Sequence, residues 1–274
     1  MTTHHQNLDQ YFHQVWQVFI ANMGSLRLFS EQISQVADQL DRKQVQEMAE
    51  SFAYIFGDDP LEVEKELLEF LPSLDDLDIY PNFLEITNIR EAFQAFQDNA
   101  FQQRVLEWSR DNINKSQKLL VVLADYLAQP PANGILLRRS ALVSLVGFLD
   151  VLFEALFYGY YFYVGLETGS DIKKLKEKAR KEAQKANRSR KGWAGRVENF
   201  SKLDIQIKIP TPLIEELTEI TNRRNVIVHS NGIVDEKYME YVDKAYRPAD
   251  AAAGKMIVVS TKYLLRAFYV FRTV

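Results

Sequence analysis

The chain has 274 residues, of which 47% are hydrophobic and 26% are charged, and its formal net charge is −4. This composition is that of a folded protein and excludes an intrinsically disordered one. Cysteine is absent, which excludes a disulfide framework and thiolate metal sites. The N-terminal sequence MTTHHQNLDQYFHQVW has neither the basic nor the apolar region of a secretory signal, so we expect a cytoplasmic protein.

Residues 1–132 are predicted to form an acidic region of amphipathic helices. Residues 1–130 carry 9 Lys+Arg against 21 Asp+Glu. Apolar residues recur there at spacings of three and four, which is typical of helices. The predicted helices are LDQYFHQVWQVFIANM, FSEQISQVADQLDRKQVQEMAESFAYIF, DPLEVEKELLEFLPSL, NIREAFQAFQDNAFQQRVLEWSRDNI and SQKLLVVLADYLA.

Two features of this region leave alternatives open. The acidic run from FGDDPLEVEKELLEF to DDLDIY indicates a solvated face, or else a surface that contacts a basic partner or the basic half of the chain. His4, His5 and His13 could hold a metal in principle. A frayed polar N-terminus is the simpler interpretation, and we expect neither a metal nor a cofactor. The region itself is expected to bind a partner or to regulate activity.

The turn sequence AQPPANG, from Ala128 to Gly134, marks the boundary with a second helical domain at residues 133–274. This domain opens with an apolar helix predicted from Ile135 to about Tyr163. Its most apolar window is long enough to cross a bilayer. Because Asp150 and Glu154 would both be costly there, we expect a buried helix, which also has the surface to pack against a second subunit, and no membrane contact.

A basic segment follows at residues 173–196, with eleven basic and two acidic residues. Concentrated Lys and Arg favour phosphate binding, because neutralising phosphates releases counterions from nucleic acid. A plain charged helix face is the alternative. The candidate RNA-binding residues are Lys173, Lys174, Lys176, Lys178, Arg180, Lys181, Arg188, Arg190, Lys191 and Arg223.

The next predicted helix is TPLIEELTEITNRRNVIVHS, with Thr211 as N-cap and Pro212 at its first position. Asn231 and Gly232 supply the stop. Leu213, Leu217, Ile220, Arg224 and Val228 recur at helical spacing, which predicts that Arg224 points toward something buried. A short segment DEKYMEYVDKAY and a final helix STKYLLRAFYVFRTV, capped by Ser260 or Thr261, complete the chain.

Three polar residues of this helix carry chemistry. Asn225 and His229 are four apart and therefore neighbours on one face, whereas Arg224 is offset from His229 by about 140°. A second copy of the helix, related by a two-fold axis, would bring an arginine and a histidine together. Histidine can exchange protons with a ribose 2′-hydroxyl or a leaving 5′-oxygen, and arginine can hold the phosphate. These groups suffice for RNA cleavage by transesterification without a metal.

The string RNVIVH, Arg224 to His229, resembles the Arg-x4-His motif of the HEPN superfamily (higher eukaryotes and prokaryotes nucleotide-binding). The flanking helices RRSALVSLVGFLDVLFEALF and GKMIVVSTKYLLRAFYVF resemble that family too, so the likeness covers residues 134–274. It implies an all-α antiparallel bundle that dimerises through the motif helices. It also implies a metal-independent endoribonuclease, of a toxin–antitoxin, abortive-infection or antiphage system, in which Arg224, Asn225 and His229 are the active residues.

The resemblance has one departure, and other interpretations remain. One toxin branch of the family has a tyrosine two residues after the histidine, where its antitoxin attaches nucleotides, but Asn231 stands there. Tyr238 and Tyr241 do not match that position. Without catalysis, Arg224 would pair with Asp150 or Glu154, His229 would cap its helix, and the protein would be an inert module that binds nucleic acid or a protein partner. Phosphate-loop, nucleophile-elbow and zinc-pair motifs are absent from the sequence.

Overall fold

The structure of the chain is a computed structural model. It describes residues 2–56, 60–61, 79–80, 110, 133–166, 171–188, 192–203 and 209–273. These residues are almost entirely helical, which confirms the predicted all-α class. The described elements are α1 (Thr2–Phe56), β1 (Ile79–Tyr80), α2 (Asn133–Leu166), α3 (Ile172–Asn187), α4 (Gly192–Ser201), α5 (Thr211–His229), α6 (Glu236–Tyr241), β2 (Met256–Ile257) and α7 (Thr261–Thr273).

Helix α1 is one continuous element of 55 residues, so the prediction of two separate helices within residues 8–56 is wrong. The helix runs through Gly24, whose backbone has nothing within 4 Å of a would-be side chain. A single interior glycine costs a helix only about 1 kcal/mol, and burial of one long apolar seam outweighs that cost. The other three helices predicted for the acidic region lie almost entirely outside the described residues.

Helix α2 is the central element of the fold. It packs against α1, α3, α5 and α7, and it buries apolar side chains on several faces, among them Leu142, Leu145, Leu149 and Phe157. It is also the described helix that is long and apolar enough to cross a membrane, with a mean hydropathy of 1.9 and 44% of that window buried. Packing on several sides accounts for its buried apolar residues, whereas Leu136, Val151 and Val164 are apolar and exposed.

Helix α4 is held on α2 by aromatic packing. The rings of Phe157 and Phe200 stack with centroids 3.9 Å apart, and Phe153 meets Trp193 edge to face at 4.9 Å. Arg196 lies over the Trp193 ring and pairs with Asp150 at 2.5 Å. Asp150 is therefore engaged within the fold, and Arg196, the last residue of the basic segment, serves to anchor α4.

Helix α1 shares its core with the helices of residues 133–273. Phe19 and Met23 lie in the same apolar cluster as the buried face of α2. Asp41, which is remote in the sequence, caps the N-terminus of α2. Its carboxylate accepts hydrogen bonds from the backbone N–H groups of Asn133 and Gly134, both at 3.0 Å. The side chain of Asn133 donates a third bond at 2.8 Å. The start of α2 is thus fixed by a residue 92 positions earlier in the chain.

Asp41→Ala is expected to lower the free energy of unfolding by about 1–2 kcal/mol, because it leaves two N-terminal amides of α2 without an acceptor. Chemical denaturation followed by circular dichroism would measure the loss. The exposed neighbour Arg42 provides the control, since Arg42→Ala removes a charge from the same helix without touching α2. Equal stability of the two variants would show that the cap contributes nothing.

A small antiparallel ladder lies beyond the end of α5. Strand β1 pairs with β2, with Ile79 opposite Ile257 and Tyr80 opposite Met256. On its other side β2 joins the loop after α5, where the N–H of Ile257 donates to the carbonyl of Gly232 at 2.8 Å. A segment of the acidic region is therefore hydrogen-bonded, through β2, to the residues that follow the Arg-x4-His motif.

Candidate functional site

Helix α5 carries the motif and is positioned by its buried apolar face. Leu213, Leu217, Ile220 and Val226 are buried, as expected for an amphipathic helix. The helix begins one residue earlier than predicted, since Pro210 rather than Thr211 is the N-cap, and no side chain caps the start. Its C-terminal stop is confirmed, because Asn231 and Gly232 have φ angles of 52° and 87°.

The arginine that continues the buried stripe is Arg223, and the prediction that Arg224 does so is wrong. Arg223 is 2% exposed, and its Nε donates to Glu219 at 2.8 Å while Nη1 donates to the carbonyl of Val258 at 2.7 Å. Its guanidinium also stacks on the Tyr263 ring at 3.6 Å. This position corrects the assignment of Arg223 to the RNA-binding surface, because the side chain lies inside the fold.

Glu219 is the centre of this buried polar cluster. Besides Arg223, it accepts hydrogen bonds from the hydroxyls of Tyr238 at 2.7 Å and Tyr263 at 2.5 Å. Burial and the nearby carboxylate raise the pKa of Tyr238 and of Tyr263, so both hydroxyls stay protonated and donate. The cluster joins α5 to α6 and α7. Glu219 and Arg223 are four apart on α5, which is the spacing of a helical ion pair, but no local pattern signals that Tyr238 and Tyr263 join them.

Arg224, about 100° around α5 from Arg223, is half-buried. Its Nη1 donates to the side-chain oxygen of Asn225 at 3.0 Å, and its Nε is buried without a hydrogen-bond partner. Among the described residues no carboxylate pairs with it, and Asp150 pairs with Arg196 instead. The alternative in which Asp150 neutralises Arg224 is therefore wrong.

His229 is the last residue of α5 and is exposed. Within the described part of the chain its ring makes no hydrogen bond, so the predicted alternative of a side-chain cap is not realised there. The C-cap is Ser230, whose N–H donates to the carbonyl of Val226 at 2.9 Å. Exposed Val228 precedes the histidine, and exposed Ile233 follows the turn. An accessible imidazole therefore sits beside exposed apolar side chains.

Within one copy of α5, the arginine and the histidine of the motif lie on different sides of the helix. The helix is continuous through His229, so Arg224 and His229 keep the angular offset of about 140° that five residues impose. Asn225 bridges them in part, because it bonds Arg224 and lies one turn before His229. The arrangement presents a guanidinium held by Asn225 and, about 140° around the same helix end, an imidazole with no hydrogen bond among the described residues.

Helix α3 displays the basic segment. Its inner face consists of Leu175 and small alanines packed on α2, and Asp171 caps its first turn. The exposed basic side chains, none of which pairs with a described carboxylate, are Lys173, Lys174, Lys176, Lys178, Arg180, Lys181, Lys185 and Arg188. Arg190 and Lys191 lie outside the described residues. The remaining candidate RNA-binding residues thus form one solvent-facing positive surface.

The other candidate groups are easily placed. His13 is exposed on α1, where it hydrogen-bonds Gln17 at 2.9 Å, and the backbone at His4 and His5 is helical. No group of three or more potential metal ligands occurs within the described residues. Tyr238 is buried at Glu219, whereas Tyr241 is exposed. Besides the Glu219 cluster, sequence reasoning missed Arg139, which packs against Gly232 just beyond the end of α5.

Comparison of the chain with protein-family models, with curated proteins and with solved structures gives no significant match in any of the three. The case for a function therefore depends on the residues themselves and on their positions in the fold.

Proposed function

We propose that the protein is a metal-independent endoribonuclease of the HEPN type, with one active cleft shared by two copies of the chain. The observation that carries the proposal is the helix end at residues 224–229. Arg224 and Asn225 are hydrogen-bonded to each other there, and the imidazole of His229 is exposed and unengaged among the described residues. A structural histidine of the core would be buried and hydrogen-bonded instead.

The proposed reaction is a transesterification. His229 of one copy accepts the proton of a ribose 2′-hydroxyl, and the 2′-oxygen attacks the adjacent phosphorus. The P–O5′ bond breaks as this protonated imidazole passes its proton to the leaving 5′-oxygen, while the partner copy faces it with its own Arg224. Arg224 holds the phosphate and stabilises the charge that develops on its oxygens, while Asn225 orients the guanidinium. The products are a 2′,3′-cyclic phosphate and a 5′-hydroxyl.

Two further features support an RNA substrate and a dimer. The positive face of α3 offers closely spaced ammonium and guanidinium groups to a phosphate backbone. Val228 and Ile233, 47% and 45% exposed, flank the motif's last turn and offer apolar surface for a second copy. By its resemblance to the family, the protein belongs in the cytoplasm, in a bacterial toxin–antitoxin or antiphage system with an inhibitory or defence partner.

The decisive experiment incubates the purified protein with an RNA oligonucleotide in EDTA and maps the ends of the fragments. We expect 2′,3′-cyclic phosphates and 5′-hydroxyls, and no cleavage where the ribose at the cut position is replaced by deoxyribose. Loss of activity in EDTA, or a cut at the deoxyribose, would contradict the chemistry. Sedimentation would contradict the shared cleft if it showed only monomers at concentrations that are active.

The alternative is a catalytically inert helical module that binds nucleic acid or a protein partner. The observation that favours it is α3, whose basic face exists independently of the motif helix and would bind RNA without cutting it. Both functions require RNA binding, but only the first requires His229. Binding that is sensitive to salt, with no cleavage at any protein concentration, would decide for the alternative.

Reversing three charges on α3, by Lys173→Glu, Lys174→Glu and Lys178→Glu together, is expected to weaken RNA binding by at least about 10-fold near 0.1 M salt. The slope of log affinity against log salt should fall by about 2, since each lost phosphate contact on a single strand removes about 0.7. Fluorescence anisotropy with a 2′-O-methyl oligonucleotide, which cannot be cleaved, measures both quantities.

The control variant carries the same change in net charge, but at three lysines outside α3. Lys43, Lys202 and Lys262 are exposed lysines on or next to other helices, and their joint replacement by glutamate should leave most of the slope intact. If both triple variants lose affinity equally, α3 contributes only to the overall charge of the protein and is not an RNA-binding surface.

A further inference from the structure

Arg139 lies in the second turn of α2, and its guanidinium packs against the turn that ends the motif helix. A β-carbon at Gly232 would collide with Nη2 of Arg139 and lie 3.0 Å from its Cζ. Gly232 is three residues after His229, and its φ angle is 87°. The backbone conformation at this turn therefore favours glycine, and a larger residue there would also displace the guanidinium of Arg139.

This arginine is poorly satisfied inside the protein. Its Nε is buried without a hydrogen-bond partner, and Nη2 has only a long contact of 3.4 Å to the carbonyl of Ile257. Among the described residues no carboxylate pairs with it. Its neighbour Arg138 is different, since Nε there donates to the carbonyl of Val259 at 3.0 Å and Nη1 approaches Asp38. Desolvation without a counter-charge lowers the pKa of Arg139.

The motif arginine shares this property. Among the described residues four buried side-chain atoms lack a hydrogen-bond partner, and two of them are the Nε atoms of Arg139 and Arg224. One of these arginines belongs to α5 and the other packs on the turn that ends it. Unsatisfied buried donors are costly and are usually satisfied by a ligand, an ion or water. Each of these guanidinium groups therefore keeps a donor that a phosphate oxygen would satisfy.

We propose that Arg139 is a second phosphate-binding arginine of the motif site, which binds a backbone phosphate of the RNA beside the C-terminal end of α5. This proposal rests on the function proposed above and extends it to a residue outside the Arg-x4-His motif. A phosphodiester supplies the negative charge and the planar pair of acceptors that a guanidinium fork matches. Gly232 then serves to let the fork reach the cleft.

A simpler role for Arg139 makes different predictions. A cation near the C-terminus of a helix is favourable even without a ligand, and in that role Arg139 would affect the stability of the protein but not its affinity for RNA. Binding must therefore be measured apart from both stability and cleavage, with the full-length protein and the uncleavable 2′-O-methyl oligonucleotide.

Arg139→Gln is expected to raise the Kd for this oligonucleotide about 10-fold near 0.1 M salt and to lower the salt slope by about 0.7, the value for one phosphate contact on a single strand. Arg139→Lys should give an intermediate Kd, because it keeps the charge and loses the fork. The matched control is Arg266→Gln, which removes an exposed arginine paired with Glu216 and should bind as wild type does. Unchanged Kd and slope in Arg139→Gln would overturn the proposal.

Inorganic phosphate gives a second measurement. At constant ionic strength, replacing chloride by phosphate should raise the Tm of the wild type, and Arg139→Gln should lose most of this rise. An equal rise in both proteins would overturn the proposal. Should Arg139→Gln fail to fold, Arg139→Lys carries the same tests, and wild-type values in it would overturn the role of the fork.

The ribonuclease proposal and the Arg139 proposal can be refuted independently of each other. A protein that never cleaves RNA, but that binds it more weakly after Arg139→Gln, would refute the ribonuclease and keep the phosphate site. A protein that cleaves RNA in EDTA and binds it equally well after Arg139→Gln would do the reverse.

Discussion

His229→Ala is expected to lower the rate of RNA cleavage by about 10²- to 10⁴-fold, the usual contribution of a general acid or base. Affinity for the uncleavable oligonucleotide should stay within a factor of about two, because the imidazole acts on protons whereas Arg224 and α3 hold phosphates. Cleavage of a fluorescent oligonucleotide in EDTA measures the rate. Since the side chain is exposed, the variant should fold with an unchanged Tm.

His13→Ala is the matched control, because His13 is also exposed and helical but lies on α1. Its cleavage rate should equal that of the wild type. Equal rates in His229→Ala and the wild type would exclude the proposed mechanism outright.

Mixing two inactive variants tests whether the cleft is shared. In a mixed dimer, the His229→Ala chain still supplies Arg224, and the Arg224→Ala chain still supplies His229. One arginine and one histidine would then meet from opposite copies, and we expect part of the activity to return. Mixtures that stay as inactive as the separate variants, although mass measurement shows that they exchange subunits, would contradict the two-chain site.

Glu219→Gln is expected to lower the free energy of unfolding by about 3–5 kcal/mol, since it leaves the charge of Arg223 buried without its partner. Glu219 and Arg223 have side chains that are only 5% and 2% exposed, so water cannot replace the missing carboxylate. The hydroxyls of Tyr238 and Tyr263 also lose an ionised acceptor. Denaturant unfolding, monitored by circular dichroism, gives the difference.

The same helix provides the control. Glu216 pairs with the exposed Arg266 at 2.6 Å, and Glu216→Gln should cost less than about 1 kcal/mol because water and salt screen that pair. Removing both buried charges, as Glu219→Leu with Arg223→Met, should recover much of the lost stability. If Glu219→Gln and Glu216→Gln were equally stable, the buried cluster would not anchor α5.

Much of the helical layout follows from the sequence. The apolar helix predicted from Ile135 to about Tyr163 is α2, at Asn133–Leu166, and the Ser260 cap of the last helix is confirmed by its hydrogen bond from the N–H of Tyr263 at 3.1 Å. These elements have strong periodicity or strong local caps. The start of α5 lies one residue earlier than predicted, because Pro210 is the N-cap and Pro212 is the second helical residue, a first-turn position that proline also tolerates.

The contacts of Arg223 and Arg139 could not be predicted from the sequence. After Ile220 a helical stripe continues equally well at 223 or at 224, because 3.6 residues per turn falls between the two spacings. Tertiary contacts with Val258 and Tyr263 select Arg223. The same holds for Arg139, whose nearest neighbours across the fold lie more than 90 residues further along the chain. Contacts between residues so far apart cannot be deduced from one sequence alone.

The buried anchor at Glu219 also limits how the motif helix can move. Rolling α5 about its own axis would break the bonds from Arg223, Tyr238 and Tyr263 together. Arg224 and His229 therefore keep the same orientation about the axis of α5 in every copy of the chain. The activity of such an enzyme would depend on the protein concentration at which two copies associate and on what binds the face opposite α5. An inhibitor would act by separating the two copies and not by reorienting the helix.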